Sequence, residues 1–289
     1  MNAKNRSLTE IHTAVFLFGL SGLFGKFLSL PPMIIVLGRV FFSSVFLLFI
    51  MKYLKNDIKL KQKKHYLQLG LMGMLLAIHW STFFMSIQVS TVAIGLLTFS
   101  TFPVFVAFLE PYFFKEKIRL SDVISAMITF IGVVLVIPRF ESGNNLMLGA
   151  LWGILSGLTY AILSILNRSY VKQYSSTVIA FYEQFAATII LLPFLFIQKP
   201  VFQRLDLVLL ILLGTVFTGI SHTLFINGLK NIKTQSASII SCLEPVYGIV
   251  FAFFLLGEIP TIREAIGGII ILGTIIYSPI KLYKVKIQK

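Results

Sequence analysis

The chain has 289 residues, 57% hydrophobic and only 12% charged, with a formal net charge of +14. Soluble domains carry about 25% charged residues, so this is not a soluble domain with a large core. The basic excess lies in short clusters between apolar runs, which excludes the continuous basic face that nucleic-acid binding requires.

In chain order, apolar runs predict membrane spans at 8–28, 32–51, 65–86, 89–112, 121–138, 147–168, 176–197, 206–227, 235–256 and 263–281. A bilayer admits only helices or closed barrels, and these runs are far longer than the ~10-residue alternating segments of a barrel. The first run follows Lys4 and Arg6 as a signal peptide would, but Lys26 interrupts its end and no clean small-x-small site follows, so it reads as an uncleaved helix. Ten spans leave only short connections and no separate soluble domain. Connections such as 29–32 and 86–90 make successive helices antiparallel neighbours.

Lysine and arginine orient the chain. With the N-terminus in the cytoplasm, nineteen of the 25 basic residues fall on the cytoplasmic side, including six lysines from Lys52 to Lys64 and the Lys115, Lys117, Arg119 cluster. Arg139, Lys199, Arg204 and Arg263 fall opposite; Lys26 and Arg39 lie within spans or at their edges. This bias predicts an even number of spans and both termini cytoplasmic. The Lys52–Lys64 cluster reads as a topology signal resting on anionic lipid headgroups.

A shift of 142 residues brings the halves into register: Phe83 falls on Phe225, Pro103 on Pro245, Val104 on Val246 and Glu116 on Glu258. The sequence therefore divides into five-helix repeats over 8–138 and 147–281. Five is odd, so the second copy enters the membrane from the other side, and the predicted class is an all-α integral membrane protein of ten helices in two inverted repeats. That layout belongs to transporters, with substrate held between the repeats and alternating access between them.

The segment from Ile239 to Glu258, followed by Ala265 to Gly273, resembles the end of an EamA-type repeat of the drug/metabolite transporter superfamily. Phe99 to Glu116 and then Asp122 to Gly132 repeat it in the first half, where Pro103 follows Phe102 rather than a glutamate. The resemblance implies a ten-helix secondary transporter, most often an exporter of amino acids or other small metabolites.

Polar groups inside spans are costly and face protein or a water-filled cavity. Pro103 and Pro245 each remove a backbone donor, giving a hinge or a static kink. Glu244 can bind a substrate amine, carry a proton, brace the kinked backbone or pair with Arg39 or Lys26. Arg39 suits a substrate carboxylate or snorkels to the interface. Glu183, beside Tyr182 and Gln184, reads as a binding or coupling group near one membrane face. His79 and His222 are proton-relay or packing residues in nearly matching places, with Trp80 falling on His222 in the 142-residue register.

Helical spacing puts Trp152, Ser156, Tyr160, Ser164 and Asn167 on one side of the sixth span. It puts Thr215, Thr218, His222 and Phe225 on one side of the eighth, and Thr91, Gly95, Thr98 and Thr101 on one side of the fourth. Trp80, Phe83 and Phe84 form an aromatic patch. These faces, with Tyr247, suit either a cavity for an amphipathic solute or close helix packing. Glu110 is expected to pair with Lys115, and Lys26 to snorkel.

Cys242 reads as a small buried side chain. No metalloprotease, nucleophile-elbow or nucleotide-binding motif is present, so no enzyme activity and no cofactor are expected. A channel needs a continuous pore, which two repeats in one chain fit less well than rocking. The expected partners are a small-molecule substrate, anionic lipids and protons, for a monomeric protein.

Overall fold

Backbone amides have no water to bond with in hydrocarbon, so each apolar run must satisfy its own hydrogen bonds as helix. The computed structural model describes residues 2–55, 57–115, 120–136 and 145–287, with side chains at 121–123, 125, 126, 130 and 275–287 left aside. Among the described residues there is no strand. The helical segments are α1 (Ala3–Phe27), α2 (Pro32–Tyr53), α3 (Lys63–Val89), α4 (Val92–Phe114), α5 (Leu120–Val136), α6 (Asn145–Tyr170), α7 (Ser176–Gln198), α8 (Arg204–Gly228), α9 (Thr234–Leu256) and α10 (Ile262–Ile287). All except α5 and α10 are long and apolar enough, over their described residues, to cross a membrane, giving eight such helices; α5 contributes a shorter apolar stretch, Met127–Val136. Glu116, Lys117, Arg119, Arg139 and Lys289 lie outside the described residues.

The prolines break their helices where expected. In α4 the helix stops at Phe99 and restarts at Phe102; in α9 it stops at Ser241 and restarts at Leu243. The joints match: Ser100 has φ −64°, ψ 2°, and Cys242, 142 residues later, has φ −64°, ψ −9°. Pro103 and Pro245 then sit in the first turn of the second piece, where a missing N–H costs no hydrogen bond.

α8 carries a different irregularity, a π-helical turn at Thr215–Ile220. Within it the Thr218 hydroxyl donates to the Leu213 carbonyl, five residues back, at 2.7 Å.

Packing is set by glycines that let backbones touch, as in other membrane bundles. A Cβ at Gly73 in α3 would overlap the Glu183 carbonyl and stand 2.6 Å from the Ala186 Cβ of α7; one at Gly214 in α8 would stand 2.9 Å from the Arg39 carbonyl and 2.6 Å from the Phe42 Cβ of α2. Gly19 of α1 lies equally tightly on Glu244 and Tyr247 of α9, and Gly132 and Gly267 join α5 to α10.

The contacts come in matched sets. α3 packs on α6 and α7; α8 packs on α1 and α2. α4 packs on α6, and α9 on α1. α2 meets α7, α5 meets α10, and α4 meets α9, the first piece of each touching the second piece of the other.

Candidate functional site

The broken helices, the π turn and the glycine crossings of α1 on α9, α3 on α7 and α8 on α2 lie around one buried cavity. Its poles are Arg39 from α2 and Glu244 from α9. Its walls are aromatic: Phe18 from α1, His79, Trp80 and Phe83 from α3, Phe99 from α4 and Tyr160 from α6, with Ser21 and His222 completing it. The space open to the centre of a water molecule is about 20 Å³, room for a water rather than an amino acid.

Arg39 is 1% exposed, so it does not snorkel. Its Nε donates to the Thr218 hydroxyl at 2.9 Å, which the π turn aims at it. The guanidinium lies over the Trp80 ring, 3.8 Å from its centre, in a cation–π stack. Among the described residues, both terminal nitrogens lack a hydrogen-bond partner. A desolvated guanidinium with its fork unfilled is suited to a planar carboxylate.

Glu244 is buried and makes no hydrogen bond or ion pair of 4.0 Å or less among the described residues. Of the roles the sequence leaves open for Glu244, pairing with Arg39 or Lys26 is therefore not the one made here. Opposite charges face one cavity without touching, so each is left to a third party.

The second polar cluster is a pair that sequence spacing does not join. Glu183 of α7 and His222 of α8 are both buried, with Oε2 and Nε2 2.8 Å apart. Glu183 is thus inside the bundle rather than on its lipid-facing surface. Among the described residues, Glu183 Oε1 and His222 Nδ1 have no hydrogen-bond partner within 3.5 Å, and Asn167 of α6 faces the carboxylate. The His222 ring meets Trp80 edge-on at 5.5 Å, so Trp80 separates the Arg39 cation from the His–Glu pair.

His79 is held differently. Its Nδ1 lies 2.8 Å from the Ser156 hydroxyl and 3.1 Å from the Ser156 carbonyl, and its ring stacks on Tyr160 at 4.6 Å. Tyr160 in turn contacts Phe99, Phe102 and Phe225. Among the described residues the Tyr160 hydroxyl makes no hydrogen bond within 3.5 Å, and the Ser164 hydroxyl lies nearby.

Several candidates land elsewhere. Thr215 faces outward with Phe42, Phe46 and Tyr53, because the π turn widens α8 and swings it off the line of Thr218 and His222. Thr98 and Thr101 press against Gly153 and Gly157 of α6, and Gly95 against Ile87, so the polar face of α4 is close packing rather than cavity. Trp152 keeps a buried indole N–H with no hydrogen-bond partner among the described residues. Tyr247 packs on Phe16 at the α1–α9 crossing, 5.2 Å ring to ring, and does not line the cavity.

Glu110 does not pair with Lys115. It binds Arg168 and accepts from the Thr234 and Gln235 amides, both at 3.0 Å. The local reading missed Arg168 because it is 58 residues away. Lys26, at the end of α1, donates to the Ser90 carbonyl at 2.7 Å.

The chain matches the model of the EamA-like transporter family twice, over residues 9–137 and 147–278. It is 28% identical over 276 residues to an uncharacterized transporter, YxxF, of Bacillus subtilis, covering 93% of this chain and 88% of that one. It is 27% identical over 245 residues to an S-adenosylmethionine uptake transporter of Rickettsia conorii, covering 83% and 81%. A crystal structure with 16% sequence identity superposes with a TM-score of 0.73 over 96% of this chain and 98% of its own, a likeness of fold alone. With both halves matched, the chain belongs to the EamA-like transporter family.

Proposed function

We propose that this protein is a secondary active transporter that moves small zwitterionic metabolites, amino acids or their relatives, outward by alternating access between two inverted five-helix repeats. The carrying observation is that Arg39 and Glu244 face one buried cavity without pairing. An α-amino acid presents a carboxylate and an ammonium to those two poles, and its side chain to the aromatic walls. The matched helix contacts and the antiparallel meeting of α4 and α9 support inverted repeats of ten spans in all. A cavity with room only for a water supports a cycle in which helices separate to admit solute. The lysine bias supports both termini on the cytoplasmic side of a bacterial inner membrane, with the Lys52–Lys64 loop on anionic lipid and the chain acting as a monomer.

The test is efflux of labelled amino acids from liposomes holding the purified protein, beside Glu244→Gln. Saturable efflux of one class, lost in the variant, is expected. Saturable efflux that survives in the variant returns Glu244 to a structural role.

The buried His222–Glu183 pair, 2.8 Å apart, carries the coupling proton in this reading. His222→Gln is expected to leave downhill efflux running while abolishing its response to an imposed pH gradient. An unchanged response would assign coupling elsewhere.

A second reading, uptake of S-adenosylmethionine, is favoured by the names of Rickettsia relatives 25–28% identical to this chain. That solute is also an amino-acid zwitterion, with an added cation and an aromatic base, so the same poles and walls serve it. Counterflow with each labelled class separates the two.

A further inference from the structure

At opposite ends of the bundle the same three-part joint appears twice, each time with parts from both halves. At one end Glu110, in the second piece of α4, accepts from the Thr234 and Gln235 amides that open α9, and binds Arg168 near the end of α6. At the other end Glu258, just past α9, accepts from the Val92 amide that opens α4 at 2.8 Å, and stands 3.9 Å from Lys26 at the end of α1. Arg168 is 142 residues from Lys26, and Thr234 is 142 from Val92.

The chemistry of each joint is the same. The first amides of a helix have no partner of their own, and they carry the positive end of the helix dipole. A carboxylate from the opposite half closes on them, and a cation completes the charge. Each joint therefore fastens α4 of one half to α9 of the other at one membrane face. The proline-broken middles of the same two helices flank the cavity through Phe99 and Glu244. A joint that opens would let its half of α4 or α9 swing about the break at Ser100 or Cys242.

We propose that these are the two gates of the transport cycle. The Glu110–Arg168 joint closes the face that carries the N-terminus, and the Glu258–Lys26 joint closes the opposite face. Both are made in this structure, and the side chains that line the cavity are buried. The joints are unequal: the side chains of Arg168 and Glu110 are 15% and 8% exposed, those of Lys26 and Glu258 25% and 24%. The wetter, longer Lys26–Glu258 contact is the one that opens more readily, so the resting protein admits solute first from that face. This inference rests on the transporter reading for its purpose, but its test does not depend on solute flux.

The test uses a single reporter thiol, Ser21→Cys on the cavity wall, with Cys242 replaced by serine. A membrane-impermeant thiol reagent is applied to intact cells and to inverted vesicles. Glu110→Gln is expected to raise Ser21→Cys labelling severalfold from the face that carries the N-terminus, and Glu258→Gln from the opposite face. Arg168→Gln and Lys26→Gln, which keep the carboxylate caps, should follow their respective partners more weakly. If both glutamine variants raise labelling from the same face, or neither changes it in monodisperse protein, the proposal is overturned. Labelling that switches faces in a protein that moves no solute would keep the gates and remove the transport reading; flux without the switch would do the reverse.

Discussion

Arg39→Met is expected to abolish measurable transport while leaving the protein as stable as before, or more so. Burying an ion costs several kcal/mol even after relaxation, so an apolar side chain of similar volume in place of an incompletely partnered one relieves part of that penalty. Arg39 recovers little of that cost within the protein: one bond to Thr218, one stack on Trp80, and two terminal nitrogens unfilled. A substrate carboxylate would gain hydrogen bonds worth about 1.5–3 kcal/mol each from those nitrogens. Losing two raises KM by roughly 100-fold or more, at about 1.4 kcal/mol per tenfold. Arg39→Lys keeps the charge but not the planar fork, so it should fall between. Thermal melting in detergent and flux kinetics in liposomes, run on the same preparations, check both halves. A large fall in melting temperature with KM unchanged would make Arg39 a structural residue.

The second large effect is steric. Gly73→Ala should destabilise the protein by about 1–3 kcal/mol, the usual cost of overpacking, because its methyl would strike the Glu183 carbonyl and the Ala186 side chain. Gly70→Ala, one turn earlier on α3, meets nothing within 4 Å. It should gain up to about 1 kcal/mol from helix propensity. Two identical substitutions three residues apart are thus expected to differ in sign. Gly73→Ala should also weaken transport out of proportion to its stability, because it moves Glu183 away from His222. Equal melting temperatures for the two variants would mean that α3 and α7 do not cross where the structure places them.

Much of this architecture is legible in the sequence because hydropathy and proline act locally. An apolar run must be helix in a bilayer wherever the rest of the chain goes, and Pro103 and Pro245 interrupt their helices whatever packs around them. The inward polar residues Arg39, Glu244, His79 and His222 are legible for the same reason, since a charge in hydrocarbon needs an explanation. What the sequence could not show is which of them meet. Glu183 and His222 are 39 residues apart on different helices, with no motif linking them. Glu110 had Lys115 five residues away, and the structure gives it Arg168 and two amides instead. Thr98 and Thr101 have the spacing of a cavity wall, and only the glycines opposite them on α6 reveal a packing seam.

The π turn of α8 has a consequence for how the two halves diverged. Gly73 and Gly214 make equivalent contacts, on Glu183 and Ala186 in one half and on Arg39 and Phe42 in the other, and they are 141 residues apart. Trp80 and His222, Phe83 and Phe225, two to three turns further on, are 142 apart. The second half therefore holds one more residue across this stretch, and Thr215–Ile220 is where it is stored. In an ordinary α-helix an extra residue turns everything after it by about 100°, which would have carried His222 and Phe225 away from the cavity. Widening a single turn confined the insertion: the helix gained a residue, Thr215 was pushed outward, and the side chains beyond it kept their aim.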